Sequence, residues 1–254
     1  MNSPNIKLVL ADNADSEYAA FLSTLCSFEI ESAKNRPSDL IYLELNENGL
    51  KLTDGNLEIM ADLSAMLSRL KPSNLSGELL VRIAKVRESY SDRTRIVDAT
   101  AGFGEDSLLL AASGMNVDLY EYNPVIYALL YDSLTRAKHN PLLTSAVNNM
   151  TLHFEDSTRT LNNLDFRPDV VLLDPMFPER SKSGLIKKKF QLLQKLERPC
   201  STEEELLKAA FAAKPQKIII KRPAKGPCLC GIKPNHSLVG KAIRYDCLVG
   251  NNFG

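Results

Sequence analysis

The chain has 254 residues, 44% hydrophobic and 24% charged, with 31 basic side chains against 31 acidic ones. These values are those of a soluble globular protein able to bury a full core, as one large domain or a domain with an appendage. No membrane-spanning helix is expected, since no apolar run approaches the roughly 20 residues that one requires. The opening Met1-Asn-Ser-Pro-Asn-Ile-Lys7 has no basic stretch followed by an apolar one, so export is not expected and the cytoplasm is.

Residues 1–38 are mixed, with one helix expected over Glu17–Leu25. Leu40-Ile-Tyr-Leu-Glu-Leu45 and Leu50-Lys-Leu52 flank Asn46-Glu-Asn-Gly49, which predicts a β-hairpin. Spacing predicts helices over Leu57–Leu70, closed by Pro72, and over Leu79–Val86. From Arg95 onward strands and helices alternate. Strands are expected at Arg95–Val97, Val117–Tyr120, Thr151–Phe154, Val170–Leu173, Ile218–Ile220 and Arg244–Val249. Between them fall a helix Asp106–Ala112 stopped by Gly114, a helix from Asn123-Pro124 to about Lys138, and a loop helix near Leu161. Ser201-x-x-Glu204 reads as a capping box opening a helix over Thr202–Ala213. The alternation implies an α/β domain over 76–254 with a mostly parallel, doubly wound sheet, preceded by a small α+β extension over 1–75.

Two motifs carry chemistry. The first is Asp98-Ala-Thr-Ala-Gly102-Phe-Gly104-Glu-Asp106, set between a short buried strand and an apolar helix. Glycines there let backbone approach a ligand closely. Seventeen positions beyond Gly104, the next apolar run ends in Glu121, where a nucleoside ribose needs a carboxylate acceptor. The third position of a dinucleotide fingerprint is Ser107, and Asp106 at the helix start would repel a pyrophosphate. S-adenosylmethionine has no phosphate and carries cationic groups, so Asp98, Glu105, Asp106 and Glu121 suit it better than NAD.

The second motif is Asp174-Pro-Met-Phe-Pro178, at the carboxyl end of a later strand and so at the same crevice. Its prolines stiffen the backbone. The Asp174 carboxylate and the Pro175 carbonyl form an acceptor pair able to grip an exocyclic amine, and Phe177 offers a face on which a base can stack. Charge is uneven: residues 180–198 carry seven basic side chains, Lys182 and Lys187-Lys188-Lys189 among them, against Glu197. Residues 214–225 carry five, including Lys221 and Arg222, and no acid. Basic segments on an acidic body suggest contacts with a phosphate backbone. No metal is expected: the three histidines stand apart, and Cys228-x-Cys230 is too tight and alone for zinc.

Asp98-Ala-Thr-Ala-Gly-Phe-Gly104 with Asp174-Pro-Met-Phe-Pro178 resembles the Rossmann-like class I S-adenosylmethionine-dependent methyltransferases. More narrowly it resembles the RsmJ family, bacterial enzymes that methylate N2 of a guanine in 16S ribosomal RNA. Glu121-Tyr-Asn-Pro124, Lys187-Lys-Lys189, Lys221-Arg-Pro223 and Arg244-Tyr-Asp246 extend the similarity, which covers most of the chain from about Leu40. The resemblance implies cofactor contacts at Glu105, Asp106, Glu121, Tyr122, Asp156, Ser157 and Asp174, besides the glycine turn with Asp98, Gly102 and Gly104. It implies 16S ribosomal RNA, or the small ribosomal subunit, as the partner. Two other classes are weighed against it: an NAD-dependent oxidoreductase, and a non-catalytic RNA-binding or ribosome-assembly module on the same fold.

Overall fold

A computed structural model of the chain describes residues 6–36, 40–175, 192 and 202–249. In chain order the first elements are β1 (Leu8–Leu10), α1 (Ser16–Cys26), β2 (Ile30–Ser32), β3 (Tyr42–Asn46), β4 (Gly49–Thr53) and β5 (Glu58–Ile59). Short helices α2 (Leu67–Leu70), α3 (Pro72–Leu75) and α4 (Leu79–Ala84) follow. The alternation then runs β6 (Arg95–Asp98), α5 (Glu105–Ala112), β7 (Asn116–Tyr120), α6 (Pro124–Lys138), α7 (Thr144–Val147) and β8 (Met150–His153). It continues through α8 (Ser157–Thr160), β9 (Val170–Leu173), α9 (Glu203–Ala212), β10 (Lys217–Pro223), β11 (His236–Val239) and β12 (Ile243–Val249). Two compact units interleave along the sequence. One draws its described residues from Met1–Asp62 and Asn123–Arg136, the other from Leu63–Tyr122, Ala137–Met176 and Pro199–Gly254.

The first unit holds a sheet in the order β2-β1-β3-β4-β5, with β1 parallel to both neighbours and β3–β4 the expected hairpin. Gly49 opens β4 at φ +119, and a Cβ there would stand 2.7 Å from Arg136 Nε and 2.8 Å from Asp132 Oδ2. Only glycine admits that approach. Asp15 caps α1 by accepting from the Glu17 and Tyr18 amides, which turns Ala19, Leu22 and Cys26 inward.

The helix expected over Leu57–Leu70 is corrected. Its first part is β5, paired with β4 through Leu52 and Ile59; a 3-10 turn over Leu63–Met66 then leads into the helix at Leu67. Burial gives the reason: Ile59 and Ala61 are buried while Met60 and Asp62 are exposed, which is the period of two of an extended chain.

The second unit is built on a seven-stranded sheet in the order β11-β12-β10-β9-β6-β7-β8. Strands β6 to β10 run parallel, and β12 is antiparallel to both β10 and β11. Ile96, Val97, Val170–Leu173, Ile218 and Ile219 are buried, as strands covered on both faces must be. Asp169, wholly buried, accepts from the Tyr90 and Arg95 amides and from Gln216 Nε2, and so pins the amino ends of β6, β9 and β10 together. Their carboxyl ends then open at one edge. The capping box of α9 is Thr202 with Glu205, one residue beyond the expected pair, because Ser201-Thr-Glu-Glu-Glu205 satisfies the pattern in both registers. No helix among the described residues is long and apolar enough to cross a membrane.

Candidate active site

The chain leaves β6 at Asp98 and wraps around that carboxylate. Ser107 Oγ donates to Oδ2 at 2.6 Å and the Thr100 amide to Oδ1 at 3.1 Å, so Asp98 ties the start of α5 back to the strand. Only 2% of Asp98 is exposed, and its pKa is pushed up to about 6. Burial is the main cause; the bonds from Ser107 and Thr100 oppose it, and the charges of Asp106 and Asp174 add to it. Gly102 and Gly104 take φ values of +54 and +75, which strain any side-chain-bearing residue. The turn aims the Gly102 amide at Glu121 Oε2, 3.3 Å away at the end of β7. Glu121 is itself buried.

Asp174 follows β9 directly, and its backbone amide donates to Thr100 Oγ1 at 2.7 Å. The Ala99 amide donates to the Leu172 carbonyl at 3.0 Å. These two bonds bring the glycine turn and the Asp174-Pro175 corner side by side. The Asp174 side chain is 40% exposed, and Lys221 Nζ lies 2.9 Å from its Oδ2 and 2.7 Å from Asp106 Oδ2. Burial lowers the affinity of Lys221 for its proton, but the charges of Asp106 and Asp174 outweigh it, so the pKa ends above the ordinary lysine value. Tyr245 stands across the sheet from Lys221 and is buried. Burial chiefly pushes its phenol up, and the charge of Asp106 adds to that.

The other expected cofactor residues fall at neighbouring strand ends. Glu105 and Asp106 form the first turn of α5, Glu105 exposed and Asp106 half-buried. Tyr122 follows Glu121 and is half-buried, and Pro175 likewise follows Asp174. Asp156 caps α8, its Oδ1 accepting from the Thr158 amide at 2.9 Å, with Ser157 buried behind it. Phe177, Lys182, Lys187, Lys188 and Lys189 lie outside the described residues. Among the described residues no cluster of His, Cys, Asp and Glu could hold a metal ion.

The basic run 214–225 requires a correction. Arg222, expected on the RNA path, has its guanidinium on the buried side of β10, where Nε donates to the Pro227 carbonyl at 2.9 Å and NH1 pairs with Glu203 at 3.4 Å. Lys221 faces the carboxylates of the site rather than an open surface. Lys217 donates to the carbonyls of Ile83 and Lys85 at the end of α4. Lys214 and Lys225 are the exposed members. Successive strand residues point to opposite faces, so a run of basic residues on β10 cannot form one patch. Sequence reasoning missed Thr100, Ser107 and Tyr245; Ser107 carried a signal, as a polar residue where a dinucleotide fold has glycine.

The SAM-dependent methyltransferase family model matches residues 26–250. Ribosomal RNA small subunit methyltransferase J of Colwellia psychrerythraea is 32% identical over 255 residues, covering 96% of this chain and 93% of that protein. The protein of the same name from Thioalkalivibrio sulfidiphilus is 40% identical over 178 residues, 69% of each chain. Among solved structures, a SAM-dependent methyltransferase from Neisseria gonorrhoeae superposes with a TM-score of 0.74. It is 23% identical and matches across 97% of this chain and 96% of that one, which shows a common fold.

Proposed function

The chain belongs to the ribosomal RNA small subunit methyltransferase J family of SAM-dependent methyltransferases, and from that membership we propose that it methylates the exocyclic N2 amine of a guanine in 16S ribosomal RNA. The oxidoreductase and the non-catalytic module are not favoured. S-adenosylmethionine is the cofactor, and when bound it supplies a methyl group already activated on a sulfonium. The acceptors around the glycine turn fit such a ligand. Glu121 stands where ribose hydroxyls need a carboxylate, and Asp98, Glu105, Asp106 and Asp174 make the surroundings acidic enough for a cation. Glu105, Tyr122, Asp156 and Ser157 complete the proposed cofactor contacts.

The observation that best supports the reading is the bond from the Asp174 amide to Thr100 Oγ1, which holds the Asp174-Pro175 corner beside the glycine turn. A guanine N2 is a poor nucleophile because its lone pair is delocalised into the ring. Hydrogen bonds accepted by the Asp174 carboxylate and the Pro175 carbonyl favour a pyramidal nitrogen, aim its lone pair and stabilise the positive charge that develops. Phe177 stacks the base, and Lys182, Lys187, Lys188 and Lys189 contact phosphates, in the cytoplasm where ribosomal RNA is assembled into the small subunit.

The test is methylation of ribosomal RNA from cells lacking the enzyme, with nucleosides identified by mass spectrometry. N2-methylguanosine at one position of the small-subunit RNA is expected, and methyl groups on another atom would overturn the assignment. Asp174→Ala should lower kcat by about 100- to 1000-fold while RNA affinity, dominated by phosphates, stays within about twofold. Near-normal turnover in that variant would remove Asp174 from the chemistry.

A further inference from the structure

We infer that Lys221 is a positioning residue that fixes the orientation of the Asp174 carboxylate through an ion pair shared with Asp106. The inference rests on the proposed function, which makes Asp174 the group that receives the methyl-accepting amine. Strand register puts the two residues together: Ile220 pairs with Leu173 across β10 and β9, so the next residues along the two parallel strands are Lys221 and Asp174. Alternation sends Lys221 to one face and Arg222 to the other. On its own face the ammonium lies 2.7 Å from Asp106 and 2.9 Å from Asp174, with Tyr245 opposite it on β12.

The backbone of Asp174 is already constrained, its amide held by Thr100 and its carbonyl followed by Pro175. What remains is the rotation of the side chain, which is the most exposed of the three ion-pair partners at 40%. Lys221 restricts that rotation by holding Oδ2. It also separates two carboxylates that would otherwise repel across the mouth of the site, and by bridging them it links the first turn of the cofactor helix to the acceptor corner. A lysine serving RNA phosphates would project into solvent. Lys221 is 24% exposed and is engaged with two anions at hydrogen-bond distance.

The experiment is a double-mutant cycle on methyl transfer, with Lys221→Met and Lys221→Arg made in the wild type and in Asp174→Asn. Lys221→Met should lower kcat by about 10- to 100-fold with the KM for RNA and direct RNA binding within about twofold, and Lys221→Arg should recover part of the loss. In the Asp174→Asn background the same substitution should change kcat by less than about twofold, because its effect passes through Asp174. Equal losses in both backgrounds, or weakened RNA binding at unchanged kcat, would overturn the inference. A crystal structure of Lys221→Met gives a readout independent of activity: the Asp174 carboxylate should adopt a different rotamer, and an unmoved one speaks against the role. Should Lys221→Met fail to fold, Lys221→Arg carries the same cycle. If the wild type makes no N2-methylguanosine, the proposed function fails, and the crystal structure still decides the role of Lys221.

Discussion

The two faces of β10 carry neighbouring cations used in opposite ways. On one face the Lys221 ammonium lies between the carboxylates of Asp106 and Asp174, with Asp98 buried nearby. On the other, Arg222 and Arg244 stand directly opposite each other on β10 and β12, a like-charge pairing that would destabilise an open sheet. That repulsion is answered by donors spent on oxygen. Arg244 grips Asp246 through Nε and NH2 at 2.8 and 2.9 Å, while its NH1 donates to the carbonyls of Pro223, Ala224 and Gly226. Acid outweighs base around Lys221, whereas fixed backbone acceptors surround Arg244. Excess acceptors suit a cationic ligand and an amine. Saturated donors suit a wall.

The comparison breaks most sharply at Arg244. Replacing it with alanine leaves Asp246 buried without its bidentate cation and takes a donor from the carbonyls of Pro223, Ala224 and Gly226, so urea unfolding should show a loss of about 3–5 kcal/mol. A loss below about 1 kcal/mol would mean this face is not the structural one.

On the site face, Asp98 sharpens the contrast through pH. A carboxyl at about 6 in the folded chain, against the ordinary 3.8, binds its proton more tightly folded than unfolded. Its contribution to stability is therefore full at pH below about 4 and is lost as pH rises through about 6, a change of up to about 3 kcal/mol. Asp98→Asn should remove that component from unfolding curves taken across the window. Parallel curves for variant and wild type would show that burial does not perturb Asp98.

Glu121 gives the smallest effect. Glu121→Ala should weaken S-adenosylmethionine binding by about 1.5–3 kcal/mol, the value of a charged hydrogen bond, as read by calorimetry. Unchanged affinity in a folded variant would take Glu121 out of the pocket.

Much of this fold is legible in the amino-acid sequence. Val170–Leu173 is a continuous apolar run and was placed to the residue, and the glycine turn and the hairpin declared themselves by composition. Where apolar residues fit two periods, as over Leu57–Leu63, the sequence underdetermined the outcome, and pairing with β4 chose the strand. The short strands β1, β2 and β11, of three or four residues, offered too little alternation to detect. The error at Lys221 and Arg222 was of another kind. Counting charge along the chain treats neighbours as companions, yet a strand separates them by the thickness of the sheet. The apolar run predicts a strand only at Ile218–Ile220; β10 continues to Pro223, and over its next two residues alternation turns Lys221 toward Asp174 and Arg222 to the opposite face.

Strand β12 lies between β10 and β11 although it is made after both. Without it β10 has one edge bare and β11 has no neighbour to hydrogen-bond. Tyr245, the wall across from Lys221, and Arg244, the clamp on the opposite face, arrive on that same strand. The edge of the sheet beside Lys221 therefore closes only once β12 is seated between its two neighbours.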